Sequence, residues 1–207
     1  MSKRIVLTPR RAPQQERSRQ MRQDILEAGV RVLRREGALR FTTPRVAKAA
    51  GISVGSLYQY FPNKHALAFA IHSRTVERAW TEVQRLLDHP RWSARDKLRR
   101  VARLFFSAES HEVAEMGATL LDAEVLFADQ PEHRAIDELA LGRFTRFVRE
   151  ALPRRTSASA VAFRAALLVT VLESVGKAVA ARRLPPRTVD RWARACADLV
   201  ADYIRLP

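Results

Sequence analysis

The 207-residue sequence contains a single cysteine, Cys196, which excludes an intrachain disulfide framework and a multi-cysteine metal site and suits a reducing compartment. Glycine is also scarce, at 7 residues. With 47% hydrophobic residues, that scarcity argues for a packed, mainly helical globule and against disorder throughout. Long apolar runs are missing. The most hydrophobic stretch, AALLVTVL at 165–172, stops at Glu173, short of the ~18 residues a membrane span needs. The N-terminal twenty residues begin basic but offer only Ile5, Val6 and Leu7 as an apolar centre, so no signal peptide and no membrane association are expected. That makes a cytoplasmic protein the expectation. His65, His72, His89, His111 and His133 form no His-x-x-x-His or Glu-x-x-His pair, and no metal or cofactor is expected.

Acidic residues are outnumbered, with 22 Asp and Glu against 37 Lys and Arg, a formal net charge of +15. The excess is uneven. Residues 1–64 hold 14 basic against 4 acidic side chains, a net of +10, which leaves +5 for the rest of the chain. A polyanion is therefore expected to meet the N-terminal end.

Residues 1–16 hold two prolines, arginines and glutamines with little hydrophobic periodicity and read as a flexible basic arm. From Arg17 a helical pattern begins, with Ile25, Leu26, Val30 and Leu33 on one face and Gly37 as its stop. In FTTPRVAKAA, the Thr43 hydroxyl is suited to cap a short second helix, with Pro44 at its first position, where a missing N–H loses nothing. Gly51 permits the left-handed backbone of a tight turn. Ser53 can cap a third helix from Val54 to Tyr60, which Pro62 ends, and Asn63 can cap a fourth.

Downstream, Leu67, Ile71, Trp80, Val83 and Leu87 mark a long helix broken near His89-Pro90. Ser93 with Asp96 resembles a capping box for a helix carrying Leu98, Val101 and Phe105. Further helices are expected over 111–128 and 131–152, followed by a polar connection at 152–159. Val161, Ala165, Leu168, Leu172, Val175 and Val179 alternate four- and three-residue steps, and Val189, Trp192, Cys196, Leu199 and Tyr203 do the same beyond LPP at 184–186. Two such helices from each of two chains would close a four-helix bundle about a twofold axis, the alternative being that the pair packs only within one chain. Cys196 falls on that seam.

One short stretch carries two competing readings. Gly51-Ile52-Ser53-Val54-Gly55 satisfies the Gly-x-Ser-x-Gly pattern of a hydrolase nucleophile elbow, which requires a strand running into the first glycine. TTPRVAKAAG is not a strand, and no strand-rich segment elsewhere supplies a sheet, so no enzyme is expected. Helix, glycine turn and helix make a helix-turn-helix instead, whose second helix enters the major groove. Leu57 and Phe61 would face a small core with Val46, Ala47 and Ile52, leaving Val54 with Tyr58 and Ser56 with Tyr60 on outward faces.

The segment TTPRVAKAAGISVGSLYQYFPNKHALAFAI closely resembles the DNA-binding domain of the Tet repressor (TetR) family, specifically from about Ile25 to Ile71. The resemblance implies an all-α protein, with an N-terminal three-helix helix-turn-helix domain over 17–66 and a C-terminal helical ligand-binding and dimerisation domain over 67–207. It implies phosphate or groove-edge contact at Thr43, base or phosphate contact at Arg45, and a phosphate anchor at Lys64. It places Val54, Gly55 and Ser56 at base edges and Tyr58 and Tyr60 on the DNA backbone, with Gln59 as a further contact. Val54 departs from the polar residue often found there; it can offer apolar contact to a thymine methyl, while Gly55 lets the backbone come close. The family's C-terminal cavity suggests Trp80, Phe105, Met116, Glu124, Phe127 and Phe144 as lining for a partly apolar effector. The expected function is a homodimeric, ligand-responsive regulator that represses from a palindromic operator and leaves it when effector binds. The alternative is a DNA-binding architectural factor without an effector.

Overall fold

The computed structural model describes residues 16–116 and 131–206, with the side chains of 112, 114–116 and 131–134 outside the description. The described residues form eight α-helices and one 3-10 turn, with no strand among them. The elements are α1 (Glu16–Glu36), η1 (Ala38–Arg40), α2 (Thr43–Ala50), α3 (Val54–Tyr60), α4 (Lys64–Leu87), α5 (Ala94–Met116), α6 (Pro131–Ala151), α7 (Ala158–Ala181) and α8 (Pro186–Ile204). Two compact units divide within α4, between Val76 and Glu77.

In the first unit, Ile25, Leu26, Val32 and Leu33 of α1 close on Val46 and Ala47 of α2, Leu57 of α3, Phe61, and Leu67 and Ile71 of α4. The unit extends through Val76 because Leu67, Ala68, Phe69, Ala70 and Ile71 all belong to this core. Gly29 lets α1 come close to α4, since a Cβ there would lie 2.6 Å from Ile71 Cδ1.

The turns follow local chemistry. Gly51 adopts φ 70°, ψ 28°. Its N–H donates to Lys48 O at 3.2 Å and Ile52 N–H donates to Ala47 O at 3.0 Å, the paired bonds that end a helix on a left-handed residue. Ser53 Oγ accepts from Ser56 N–H at 3.0 Å, and Asn63 Oδ1 accepts from Ala66 N–H at 2.8 Å, so α3 and α4 begin on the expected caps. The second helix starts differently. Thr42, in an extended conformation, is its N-cap without a side-chain bond, and Thr43 is already helical with Pro44 beside it.

In the second unit, Val83, Leu86 and Leu87 of α4 join Leu98, Val101 and Phe106 of α5, Phe144, Phe147 and Val148 of α6, and the inner faces of α7 and α8. Ser93 and Asp96 form the expected capping pair: Asp96 N–H donates to Ser93 Oγ at 3.1 Å, and the Ser93 hydroxyl donates to Asp96 Oδ2 at 2.9 Å. The break expected before His111 is absent, because α5 runs unbroken to Met116 with no proline or glycine to stop it. Phe106, fully buried, is the core aromatic of α5, while Phe105 is only half-buried against the cluster.

The last helix pair corrects the seam reading. Val161, Ala165, Leu168, Leu172, Val179 and Cys196 are buried inside the chain's own core, and Val175 is half-buried against it, so none presents a free face. The apolar residues left in solvent are Phe163 (59% exposed), Trp192 (40%), Leu199 (70%) and Tyr203 (63%). α7 is apolar on both faces, so periodicity alone selects a stripe without telling which neighbour it meets. By length and composition α7 is long and apolar enough to cross a membrane, contrary to the estimate from the 165–172 run, and one such helix is weak evidence of a span. Cys196 carries a thiol pushed above its usual range by burial, which leaves it a small core residue with little thiolate at neutral pH.

Candidate nucleic-acid interface

α3 is seven residues long, and its faces follow from the position of Leu57, which is fully buried. On a helix turning about 100° per residue, Gly55 and Gln59 lie about 160° from Leu57, and Ser56 and Tyr58 about 100°. Val54 and Tyr60, three residues either side, lie only about 60° from it. The structure follows that wheel. Gly55, Tyr58 and Gln59 are exposed, Ser56 is intermediate, and Val54 and Tyr60 are half-buried against the first core. The outward pairing expected for Val54 and Tyr60 is therefore corrected: both lean on the core, and the pole facing solvent is Gly55 with Gln59. The signal was available in the phase of Leu57.

Thr43 is 6% exposed, and its Oγ1 shares a 3.1 Å hydrogen bond with the Tyr58 Oη, tying the start of α2 to the recognition helix. The Tyr58 ring is 40% exposed. Both hydroxyls retain further hydrogen-bonding capacity, so the pair can position a phosphate while holding α2 and α3 in register. Arg45 is paired with the Glu36 carboxylate at the end of α1, so this guanidinium has an acidic partner near the surface. Arg31 Nη2 donates to Ala49 O at 3.3 Å, a second link between α1 and α2.

Lys64 opens α4 and is exposed. Its neighbour His65 is held below the usual histidine range by burial and then by the Lys64 charge. Ser53 hydrogen-bonds only along its own helix start, to Ser56 N–H and, at 2.8 Å, to Ser56 Oγ. Its Gly-x-Ser-x-Gly setting is thus a turn between two helices and not a strand-to-helix elbow.

Among the residues suggested for an effector cavity, Trp80 and Phe144 meet with ring centroids 6.1 Å apart, and Phe105 packs against the same core. The Met116 side chain, Glu124 and Phe127 lie outside the described residues, as do residues 1–15 of the basic arm. Glu173, not anticipated, is a half-buried carboxyl pushed up by burial and then by Asp137, against an opposing pull from Lys177.

Residues 25–71 match the family model described as "Bacterial regulatory proteins, tetR family". The nucleoid occlusion factor SlmA of Vibrio campbellii is 37% identical over 68 residues, covering 32% of this chain and 35% of that protein. The chain therefore matches about a third of the length of that relative. Two solved structures align along most of the chain. SCO4454, a TetR-family transcriptional regulator from Streptomyces coelicolor, is 17% identical with a TM-score of 0.63, covering 90% of this chain and 96% of that one. The transcriptional regulator FadR from Bacillus subtilis in complex with stearoyl-CoA is 16% identical with a TM-score of 0.58, covering 86% and 96%. Residues 25–71 thus carry the segment characteristic of the tetR family of bacterial regulatory proteins, and along most of its length the chain shares the helical fold of these two neighbours.

Proposed function

We propose that this protein is a homodimeric repressor that binds a palindromic DNA operator and is released by a small, partly apolar effector. One observation carries the DNA reading furthest. Gly55 sits in a helix, where glycine is about 0.5–1 kcal/mol worse than alanine, yet a Cβ there would meet only Ser53 Oγ at an ordinary 3.8 Å. Nothing among the described residues requires the missing side chain. Close approach of a DNA base edge supplies the reason, with Gln59 on the same pole able to pair with an adenine. Tyr58, bonded to Thr43, and Lys64 then act on the phosphates as orienting contacts.

The dimer is assigned to the outer faces of α7 and α8, through Phe163, Trp192, Leu199 and Tyr203. The exposure of these aromatic and leucine side chains on two long helices supports that reading. The effector reading draws on the second unit's aromatic pair, Trp80 and Phe144, on the half-buried Glu173 carboxyl, and on the stearoyl-CoA held by the Bacillus subtilis neighbour. An effector releases DNA by favouring a dimer with wrongly spaced recognition helices; a coupling of ~1–3 kcal/mol lowers operator affinity about 5–150-fold. A DNA-binding architectural role is the second reading. The SlmA match favours it, though over the DNA-binding segment alone.

Selection of bound fragments from random duplex DNA tests the proposal. A symmetric consensus with half-sites about one helical turn apart supports a dimeric operator binder. Enrichment of nothing, or of an asymmetric single half-site, overturns it.

A further inference from the structure

A second cationic feature lies wholly within the second unit. A cleft of about 290 Å³ between α5 and α8 is lined by Asp96, Arg99, Arg100 and Arg103 on one side and by Asp190 and Arg194 on the other. Two of its four guanidinium groups are committed to carboxylates. Arg99 Nε donates to Asp198 Oδ1 at 2.7 Å and Arg99 Nη1 reaches Asp96 at 3.5 Å, while Arg103 Nε lies 3.4 Å from Asp190.

The other two have no carboxylate partner among the described residues. Arg100 Cζ lies 3.9 Å over the Trp92 ring, which itself stacks on His89 at a centroid distance of 3.6 Å, a cation–π contact that leaves the Arg100 N–H groups free of ion pairs among the described residues. Arg194 makes no hydrogen bond or ion pair among the described residues. Two unneutralised guanidinium forks from different helices thus line one concave space large enough for a small molecule.

We infer that this cleft binds a small phosphate-bearing anion, of phosphomonoester to diphosphate size, through Arg100 and Arg194. The forked donors of arginine match the oxygen pairs of phosphate, and two free positive charges match a dianion. Asp96 and Asp190 bound the cleft with negative charge, which opposes an extended polyanion such as duplex DNA. The inference does not depend on the operator proposal.

Isothermal titration of the full chain with inorganic pyrophosphate, at constant ionic strength, tests it. Saturable binding at one site per chain is expected. Arg100→Gln and Arg194→Gln should each weaken it about tenfold, and the double variant about a hundredfold, with unchanged melting temperature. Lys64→Ala should leave it intact. The assignment falls if the wild type shows no saturable binding, if R100Q/R194Q binds as well as wild type, or if Lys64→Ala abolishes binding, which would place the anion at the first unit. It also falls if R100Q/R194Q weakens duplex DNA and pyrophosphate alike, because the source would then be the nucleic-acid backbone. A variant that melts earlier is replaced by Arg194→Lys, expected to retain partial binding; full retention there and in Arg100→Lys overturns the forked-donor geometry.

Discussion

Replacing Gly55 with alanine separates stability from recognition at one position. The backbone at residue 55 is helical, and the added methyl meets only Ser53 Oγ at 3.8 Å, an ordinary contact. Folding should therefore gain about 0.5 kcal/mol, the lower part of the glycine-to-alanine range, because the residue sits in the first turn of a seven-residue helix. DNA binding should move the opposite way. Gly55 is on the solvent-facing pole of α3, so a methyl pointing from it enters the space a base edge would occupy, and overpacking of that kind costs about 1–3 kcal/mol. At about 1.4 kcal/mol per decade, operator affinity should fall about 5- to 140-fold. Urea denaturation and fluorescence anisotropy on a duplex chosen by selection give the two readouts. Unchanged or tighter DNA binding at raised stability refutes the close-approach argument, and lowered stability refutes the open geometry around Gly55.

Thr43→Val and Tyr58→Phe, combined in a double-mutant cycle, should show a coupling of about 0.5–1.5 kcal/mol in both stability and DNA affinity, because each removes one end of the 3.1 Å hydrogen bond. Strict additivity would show that the contact carries no energy. Leu199→Glu with Tyr203→Glu places charge on the exposed apolar face and should give a monomer in analytical ultracentrifugation at micromolar concentration with the helical content unchanged; a persistent dimer would move the interface elsewhere. The Cys196 thiol, raised by burial, should react slowly with iodoacetamide at pH 7.5 in the folded protein and at an ordinary rate in urea, as read by mass spectrometry. Equal rates would show that the residue is not sealed in the core.

Helix boundaries were legible wherever a local side chain sets them. Ser53, Asn63 and the Ser93–Asp96 pair cap the helices expected of them, and Gly51 supplies the left-handed turn, because each of these interactions spans three or four residues of chain. Phase was less legible. Thr43 lost its capping role to Thr42 because the helix starts one residue earlier, which turned the Thr43 hydroxyl towards Tyr58. Phe105 and Phe106 are adjacent aromatics, and the choice between them depends on the line from Leu98 through Ala102 to Phe106, which packs against α7 near Gly176. The residues of the 161–179 seam were found as a stripe, but the stripe faces the chain's own interior; α7 has apolar residues around much of its circumference, and no local rule distinguishes a partner chain from a neighbouring helix. The arginine cleft left no sequence signature, since Arg100 and Arg194 come together only when α5 and α8 pack.

In the proposed operator complex the exposed pole of α3 reads bases while Lys64 holds the phosphate backbone. Repeating the random-duplex selection with Gln59→Ala and with Lys64→Ala tests it most directly. Gln59→Ala should relax one base-pair position in each half-site, with a loss of about 1–3 kcal/mol on the native sequence, whereas Lys64→Ala should keep the consensus and weaken all duplexes alike with a shallower salt dependence. An unaltered consensus from Gln59→Ala, or a consensus rewritten by Lys64→Ala, would contradict the assignment.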